Sequence, residues 1–265
     1  MKRAAFTLIE LLVVIAIIML LVGVLTPVLA SVKQQSRAIN CRSNLRQLSF
    51  ALSIYEHGNG TFPYAFDKSR VNPPATGYAG IGTRDGPGWW WFHYLMPILG
   101  NDLSEGTVFW CPARNIKEKT AKPNILCGNY GVNRAVSKDA IGIGSNEFWG
   151  EPLGLSQVPG PSRTLLLLDS GYSSISWWGV TNATGSDKPF ENSDRKQCFY
   201  VPGARINSER TISAGFESDA LQGRHPNKTI NVVFVDGHSE AVPADDLFVQ
   251  QTGDNFENRC PLWLP

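Results

Sequence analysis

The sequence predicts an α+β fold, with a long N-terminal helix packed on an antiparallel sheet inside a loop-rich head. Three observations predict it. Residues 11–30 are an uncharged apolar run, and residues 31–57 continue it with helical periodicity and neither Gly nor Pro. Beyond residue 60 the apolar runs are short and separated by Gly, Pro, Asn and Ser. The chain has 265 residues, enough for one large or two modest domains and a real core. Lys plus Arg is 24 and Asp plus Glu is 23, a formal charge of +1 that argues against a dedicated nucleic-acid binder. Gly and Pro together make about 16% of residues, high for a domain but below the range of disordered chains.

The first element is LLVVIAIIMLLVGVLTPVLA at 11–30, about 30 Å of helix, the thickness of a bilayer's hydrocarbon core. A secretory signal would need a shorter apolar run before its small-residue cleavage site, here Val28-Leu29-Ala30. An ordinary single-span anchor fits the length but leaves Glu10 unexplained, since a carboxylate in hydrocarbon costs a few kcal/mol and marks a functional site. Pro27 lacks a backbone N–H and is expected to kink or locally melt the helix, unless it only marks where the helix leaves the membrane. Lys2 and Arg3 precede the span, but Lys33, Arg37, Arg42 and Arg46 follow it, so a count of positive charges alone would invert the protein.

The segment KRAA-FTLIELLVVIAIIMLLVGVLTPVLA resembles the N-terminus of type IV pilins and type II secretion pseudopilins. The resemblance implies that a prepilin peptidase cuts on the cytoplasmic side between Ala5 and Phe6, then methylates the new Phe6 amine. Ala5 is a departure, because the family usually carries Gly there. Glu10 stands where the family carries its glutamate, and Pro27 where many members carry a proline. A buried carboxylate is tolerable beside a buried cation, and the resemblance supplies one in the Phe6 amine of the same or a neighbouring subunit. Cleavage would leave 22 basic against 23 acidic residues. By the same resemblance the protein is a single-pass inner-membrane protein with its head in the periplasm or at the cell surface. Its partners would be the peptidase, other pilin-like subunits and the membrane, with no nucleic acid and no cofactor. The chain then divides into a leader (1–5), a transmembrane and assembly helix (6–30), its amphipathic continuation (31–60) and a head (61–265).

In the continuation, Val32, Ile39, Leu45, Leu48, Leu52 and Tyr55 recur at helical steps, predicting one packing face against the head. Gly58-Asn59-Gly60 ends the helix, which from residue 6 to 57 would measure roughly 75–80 Å. The phrase INCRSNLRQLSFALSIYEHGNGTFPYAF is similar to a pseudopilin-like family whose C-terminal domain is named for a His, nine residues, then Asp-Gly. Cys41, Asn44, Leu45, Arg46, Gln47, Tyr55, Phe62 and Pro63 match that family's pattern in order. Four head segments also look like family phrases: GPGWWWFHYLMPILG (86–100), FWCPA (109–113), NYGVN (129–133) and PSRTLLLLDS (161–170).

Within the head, residues 86–100 read as an aromatic helix whose Trp89, Trp90 and Trp91 either fill the core or form a stacking platform for sugars or bases. Leu165 to Leu168 read as a buried strand, and 176–220 as a variable surface excursion. TINVVFV-DG-HSEAV at 229–242 predicts a hairpin with a two-residue Asp236-Gly237 turn, pairing Val235 with His238 and Val233 with Glu240. Ile230, Val232, Phe234 and Ala241 would then share the core face. His225 with Asp236-Gly237 supplies the named motif, with ten residues between instead of nine; the extra one is expected within Pro226-Asn227-Lys228.

His225, Asp236 and His238 have metal-ligand chemistry, but a straight strand would hold His225 some 20 Å from the turn. A structural role is expected instead, with Asp236 accepting hydrogen bonds in its turn and His225 tying the loop to the head. Asp219, Asp245, Asp246 and Asp254 are scattered, without calcium-site spacing. Five cysteines in an exported domain favour disulfides. Among Cys111, Cys127, Cys198 and Cys260 the preferred pairs are Cys111 with Cys127 and Cys198 with Cys260, leaving Cys41 buried against the head. No nucleophile elbow, phosphate loop or dinucleotide fingerprint is present, and no enzyme is expected. The rival readings are a membrane-anchored glycan-binding protein using Trp90 and Trp91, and a surface hydrolase using His225, Asp236 and His238.

Overall fold

The computed structural model describes residues 8–70, 88–114, 124–140, 146–180 and 224–265. Helix α1 runs from Leu8 to Asn59, 52 residues and about 78 Å, straight through the boundary between apolar span and polar continuation. It also runs through Pro27, so the expected local melting does not occur. One missing N–H leaves the rest of the ladder intact, and the Thr26 hydroxyl adds a bond to the Val22 carbonyl at 2.7 Å. Beyond the last turn, the Gly60 N–H reaches the Glu56 carbonyl at 2.7 Å, with Gly60 in the left-handed region at φ 79°.

The predicted single stripe on α1 is two stripes. Cys41, Leu45, Leu48 and Leu52 step by four, three and four residues and are completely buried on the head. Val32 and Ile39 lie on the opposite face, 54% and 69% exposed, together with Phe50 and Ile54. At 3.6 residues per turn, Ile39 sits about half a turn away from Cys41 and Leu45. Burial of the three leucines contributes roughly 1.5–3 kcal/mol each, which is what holds the upper helix to the head.

After α1 come the two-residue strands β1 (Phe66–Asp67) and β2 (Trp89–Trp90), paired antiparallel, and helix α2 (Trp91–Leu99). The main sheet uses β3 (Tyr130–Asn133), β4 (Leu165–Asp169), β5 (Ser174–Ile175), β6 (Thr229–Phe234) and β7 (Ser239–Pro243), in the spatial order β5-β3-β4-β6-β7. It is antiparallel except for the edge pair β3–β5, which is parallel. A short helix α3 (Ala244–Leu247) and the small hairpin β8 (Gln250–Thr252) and β9 (Asn255–Glu257) follow. The α+β class holds, with the long helix lying on the sheet.

Both faces of the sheet are covered. On the α1 side, Leu166, Leu167, Val233 and Val235 join the helix leucines, Trp90, Trp91 and Phe92. On the far side, Leu165, Leu168, Ile230, Val232 and Phe234 pack with Trp177, Trp263 and Leu247. A bulge between Leu165 and Leu167 lets the adjacent Leu166 and Leu167 share the α1-side core. Central strands buried on both faces read as continuous apolar runs, which is the composition of β4 and β6.

The hairpin register differs from the predicted one by a residue. Val233 pairs with Ser239 and Val232 with Glu240, and the Phe234 N–H donates to the His238 carbonyl at 3.0 Å. Val235 cannot pair with His238, because its N–H donates outside the hairpin to the Thr164 carbonyl at 2.9 Å. The loop is therefore three residues, Val235-Asp236-Gly237, closed by Gly237 N–H to the Phe234 carbonyl at 2.9 Å, with Gly237 at φ 91°. Ala241 is half-buried on the outer strand.

Candidate functional site

Two regions carry chemistry: the free length of α1, and a buried polar cluster where α1 meets the sheet. Every residue of α1 from Leu8 to Arg37 is exposed on its own chain, including Glu10 in the first turn. Among the described residues, α1 is the one helix long and apolar enough to cross a membrane, with a mean hydropathy of 3.2 over its most apolar window. Ala5 and Phe6, the predicted processing pair, lie outside the described residues, as do Cys198 and Asp219.

Head contact begins at Ala38, whose carbonyl accepts from Asn231 Nδ2 at 3.4 Å. Two of the four basic residues past the span meet the head here: Arg42 Nε donates to Asn231 Oδ1 at 3.4 Å, and Arg46 Nε to Ser239 Oγ at 3.0 Å. Asn44 Nδ2 reaches the Trp110 carbonyl at 3.1 Å, which places the FWCPA segment beside the helix. Cys41 is thereby brought to Cys111, and the two form a disulfide with Cα atoms 5.3 Å apart. This corrects the preferred Cys111–Cys127 pairing. The short loop between those two cysteines suggested a bond, but helix docking places Cys41 against Cys111 across 70 residues of sequence. Cys127 is buried elsewhere and Cys260 is exposed.

Directly beside the disulfide lies Asp169, at the end of β4. It is 1% exposed, and its Oδ2 accepts the Asn231 N–H at 2.8 Å and lies 2.8 Å from His225 Nε2. Arg224 Nη1 is 3.5 Å from Asp169 Oδ1. The Arg224 guanidinium also donates to the carbonyls of Asn129 and Ser170, at 2.8 and 2.7 Å. Burial works to raise the Asp169 carboxyl, but His225, Arg224 and the Asn231 amide outweigh it and hold it below its ordinary value. The local chain explains the pairing of Arg224 and His225 with this carboxylate. Pro226–Lys228 forms a tight turn with Asn227 and Lys228 at φ 61° and 57°, folding both preceding N–H groups back onto the Thr229 carbonyl at 3.0 Å.

The structure separates the three motif residues. His225 is buried against Asp169, while Asp236 and His238 lie at the far end of β6, partly exposed. There Asp236 Oδ1 accepts the His238 N–H at 3.1 Å and lies 2.5 Å from His238 Nδ1. The His238 ring stacks on Phe234 with centroids 4.4 Å apart, so the tip is a self-contained turn. A hydrolytic site shared by these three residues is not assembled. Trp90 and Trp91 are 3% and 2% exposed, and the Trp91 indole donates to the Ser173 carbonyl at 2.8 Å. Neither ring offers a face for stacking a sugar, whereas Trp89, the first of the three, is partly exposed.

Asp169 and Arg224 carry the buried cluster, and sequence reasoning passed over both. The available signal was an acid ending an otherwise apolar strand, LLLLD, together with an adjacent Arg-His pair preceding the next strand. A buried carboxylate requires such cations.

No curated protein and no solved structure matches the chain. Residues 1–26 match the family model described as the prokaryotic N-terminal methylation motif. They end within the apolar half of α1, before its first contact with the head. The chain thus carries a prepilin-type N-terminal methylation motif on a membrane-spanning-like helix that leads into an α+β head.

Proposed function

We propose that the protein is a pilin-like subunit, matured by a prepilin peptidase and assembled with other pilin-like subunits into a filament of the type II secretion or type IV pilus kind. One observation carries the reading: the methylation motif opens a helix whose first thirty described residues are unpacked on their own chain. An apolar surface of that length is stable only in lipid or against other helices. Cleavage between Ala5 and Phe6 removes the leader, and the methylated Phe6 amine becomes the cation near Glu10. A carboxylate in hydrocarbon needs such a counter-charge. The apolar helix stays in the inner membrane until assembly, and the head lies on the extracytoplasmic side. The chain has no catalytic role in this reading; the chemistry belongs to the peptidase.

Mass spectrometry of the mature N-terminus tests it. The expected product begins at Phe6 and bears one methyl group on its amine. A product beginning at Ser31, or an uncleaved Met1 in cells with an active prepilin peptidase, would overturn the reading. Assembly is read separately, as cross-links between single cysteines introduced into the free half of α1, in sheared surface material. Uncross-linked monomers in that material would remove the filament from the reading.

A further inference from the structure

Cys41, Cys111, Asp169 and His225 each offer one ligand atom, all four atoms lie within 4.8 Å of one another, and all four residues are buried. From this geometry we propose that, when the Cys41–Cys111 disulfide is reduced, the four side chains bind one divalent cation of the zinc class. The two sulfurs then serve either as a covalent cross-link or as half of a metal centre.

The donor set fits the ion. Two thiolates, one imidazole and one carboxylate are ligands zinc takes in tetrahedral closed sites. With Zn–S near 2.3 Å and Zn–N near 2.0 Å, neighbouring ligand atoms in such a site stand roughly 3.3–3.8 Å apart. The observed spread of up to 4.8 Å needs only side-chain adjustment to close. A disulfide by itself requires neither a carboxylate nor an imidazole beside it. Yet His225 Nδ1 is buried with no hydrogen-bond partner among the described residues, and Asp169 Oδ1 faces the Arg224 guanidinium at 3.5 Å without a hydrogen bond. Buried polar atoms without partners are uncommon, and each one calls for an explanation such as an ion. Charge also balances. Two thiolates and Asp169 around a divalent ion leave one negative charge, and the Arg224 guanidinium beside Asp169 offsets it.

The reduction is a two-electron step. A thiolate of a dithiol reductant attacks one sulfur and the other leaves as a thiolate; the second thiol of the reductant then releases the first and closes its own disulfide. Cys41 and Cys111 are left as thiols. Their two protons pass to solvent as the cation binds, and the S–S bond is replaced by two S–metal bonds.

The test uses the full chain in detergent micelles, reduced with a water-soluble phosphine that becomes its oxide, and titrated with cobalt(II). The expected result is a thiolate-to-cobalt charge-transfer band that saturates at one equivalent per chain and is bleached by zinc. The oxidised chain should show no band. The double variant Cys41→Ser, Cys111→Ser should also show none, and Cys127→Ser, Cys198→Ser, Cys260→Ser should keep it in full. His225→Ala should weaken cobalt binding at least ten-fold, since loss of even an outer-shell partner costs about 10–100-fold. Near-ultraviolet circular dichroism, which reports the buried tryptophans, establishes that the head stays folded. The proposal is overturned by a folded, reduced chain without the band, by an equal band in the oxidised chain, or by a band that survives the double variant. It is equally overturned if the reduced head unfolds whether or not cobalt is present.

Discussion

His93 is completely buried at the third position of α2, where its Nδ1 accepts the Trp90 N–H at 2.9 Å. That bond satisfies one of the orphan donors at the helix start, the task a Glu or Gln performs in a capping box. Burial pushes the His93 pKa from 6.5 down to about 4. The unfolded chain therefore takes up a proton that the folded chain refuses. The stability held by neutral His93 is complete above pH 6.5 and is lost as the pH falls to about 4, by up to about 3 kcal/mol. His93→Gln keeps the acceptor without the titration. Denaturant unfolding of both proteins between pH 7 and pH 4 should show a shallower loss in the variant, and parallel pH profiles would refute the assignment. Gly131 in β3 makes a second residue-scale prediction. A Cβ there would lie 2.5 Å from the Tyr172 carbonyl oxygen and 2.7 Å from Ser170 Cβ. Gly131→Ala should lower stability by about 1–3 kcal/mol, seen as a lower denaturation midpoint at unchanged slope. None of this was legible beforehand. In the sequence His93 is one more ring among aromatics, and Gly131 is one of 25 glycines.

At the scale of the element, α1 was the most legible part of the chain and also the most easily misassigned. Its existence follows from fifty residues of helix-compatible sequence ending in Gly58-Asn59-Gly60. Which side meets the head does not follow, because apolar residues occupy both faces of the upper half. Leu45, Leu48 and Leu52 are distinguished from Ile39 and Phe50 only by what the sheet presents to them. The cross-link at the foot of this contact, Cys41–Cys111, was hidden for the same reason: only docking brings the two together. Closing a loop of 70 residues restricts the unfolded chain enough to add about 4 kcal/mol in the chain-entropy picture. Cys41→Ser, Cys111→Ser in metal-free buffer should lose about 2–4 kcal/mol of head stability, read as a lower denaturation midpoint by tryptophan fluorescence. An unchanged midpoint would mean that the cross-link adds nothing to the native state.

For the whole molecule, the strands with the strongest local patterns, β4 and β6, lie at the centre of the sheet as their apolar runs require. The order β5-β3-β4-β6-β7 and the parallel edge pair come from long-range pairings that no local pattern announces. The hairpin shows where the boundary falls. Its turn residues were readable, but its register depended on Thr164 capturing the Val235 N–H from 71 positions away in sequence. The N-terminal motif was readable because membrane length, a carboxylate at the start of an apolar run and the cleavage signal are all local features.

The position of the disulfide also has a mechanical consequence. Cys41 lies only a few residues beyond Arg37, where the exposed length of α1 ends, and it is the first buried residue of the helix. A pull along α1 from the membrane side therefore enters the head through a covalent bond to Cys111. The upper helix, β1, β2 and α2 lie within the covalent loop that this bond closes, so the bridge limits how far they can be drawn away from the head. The leucine contacts locate the upper helix on the head, and the sulfur bridge adds a tether that does not depend on them.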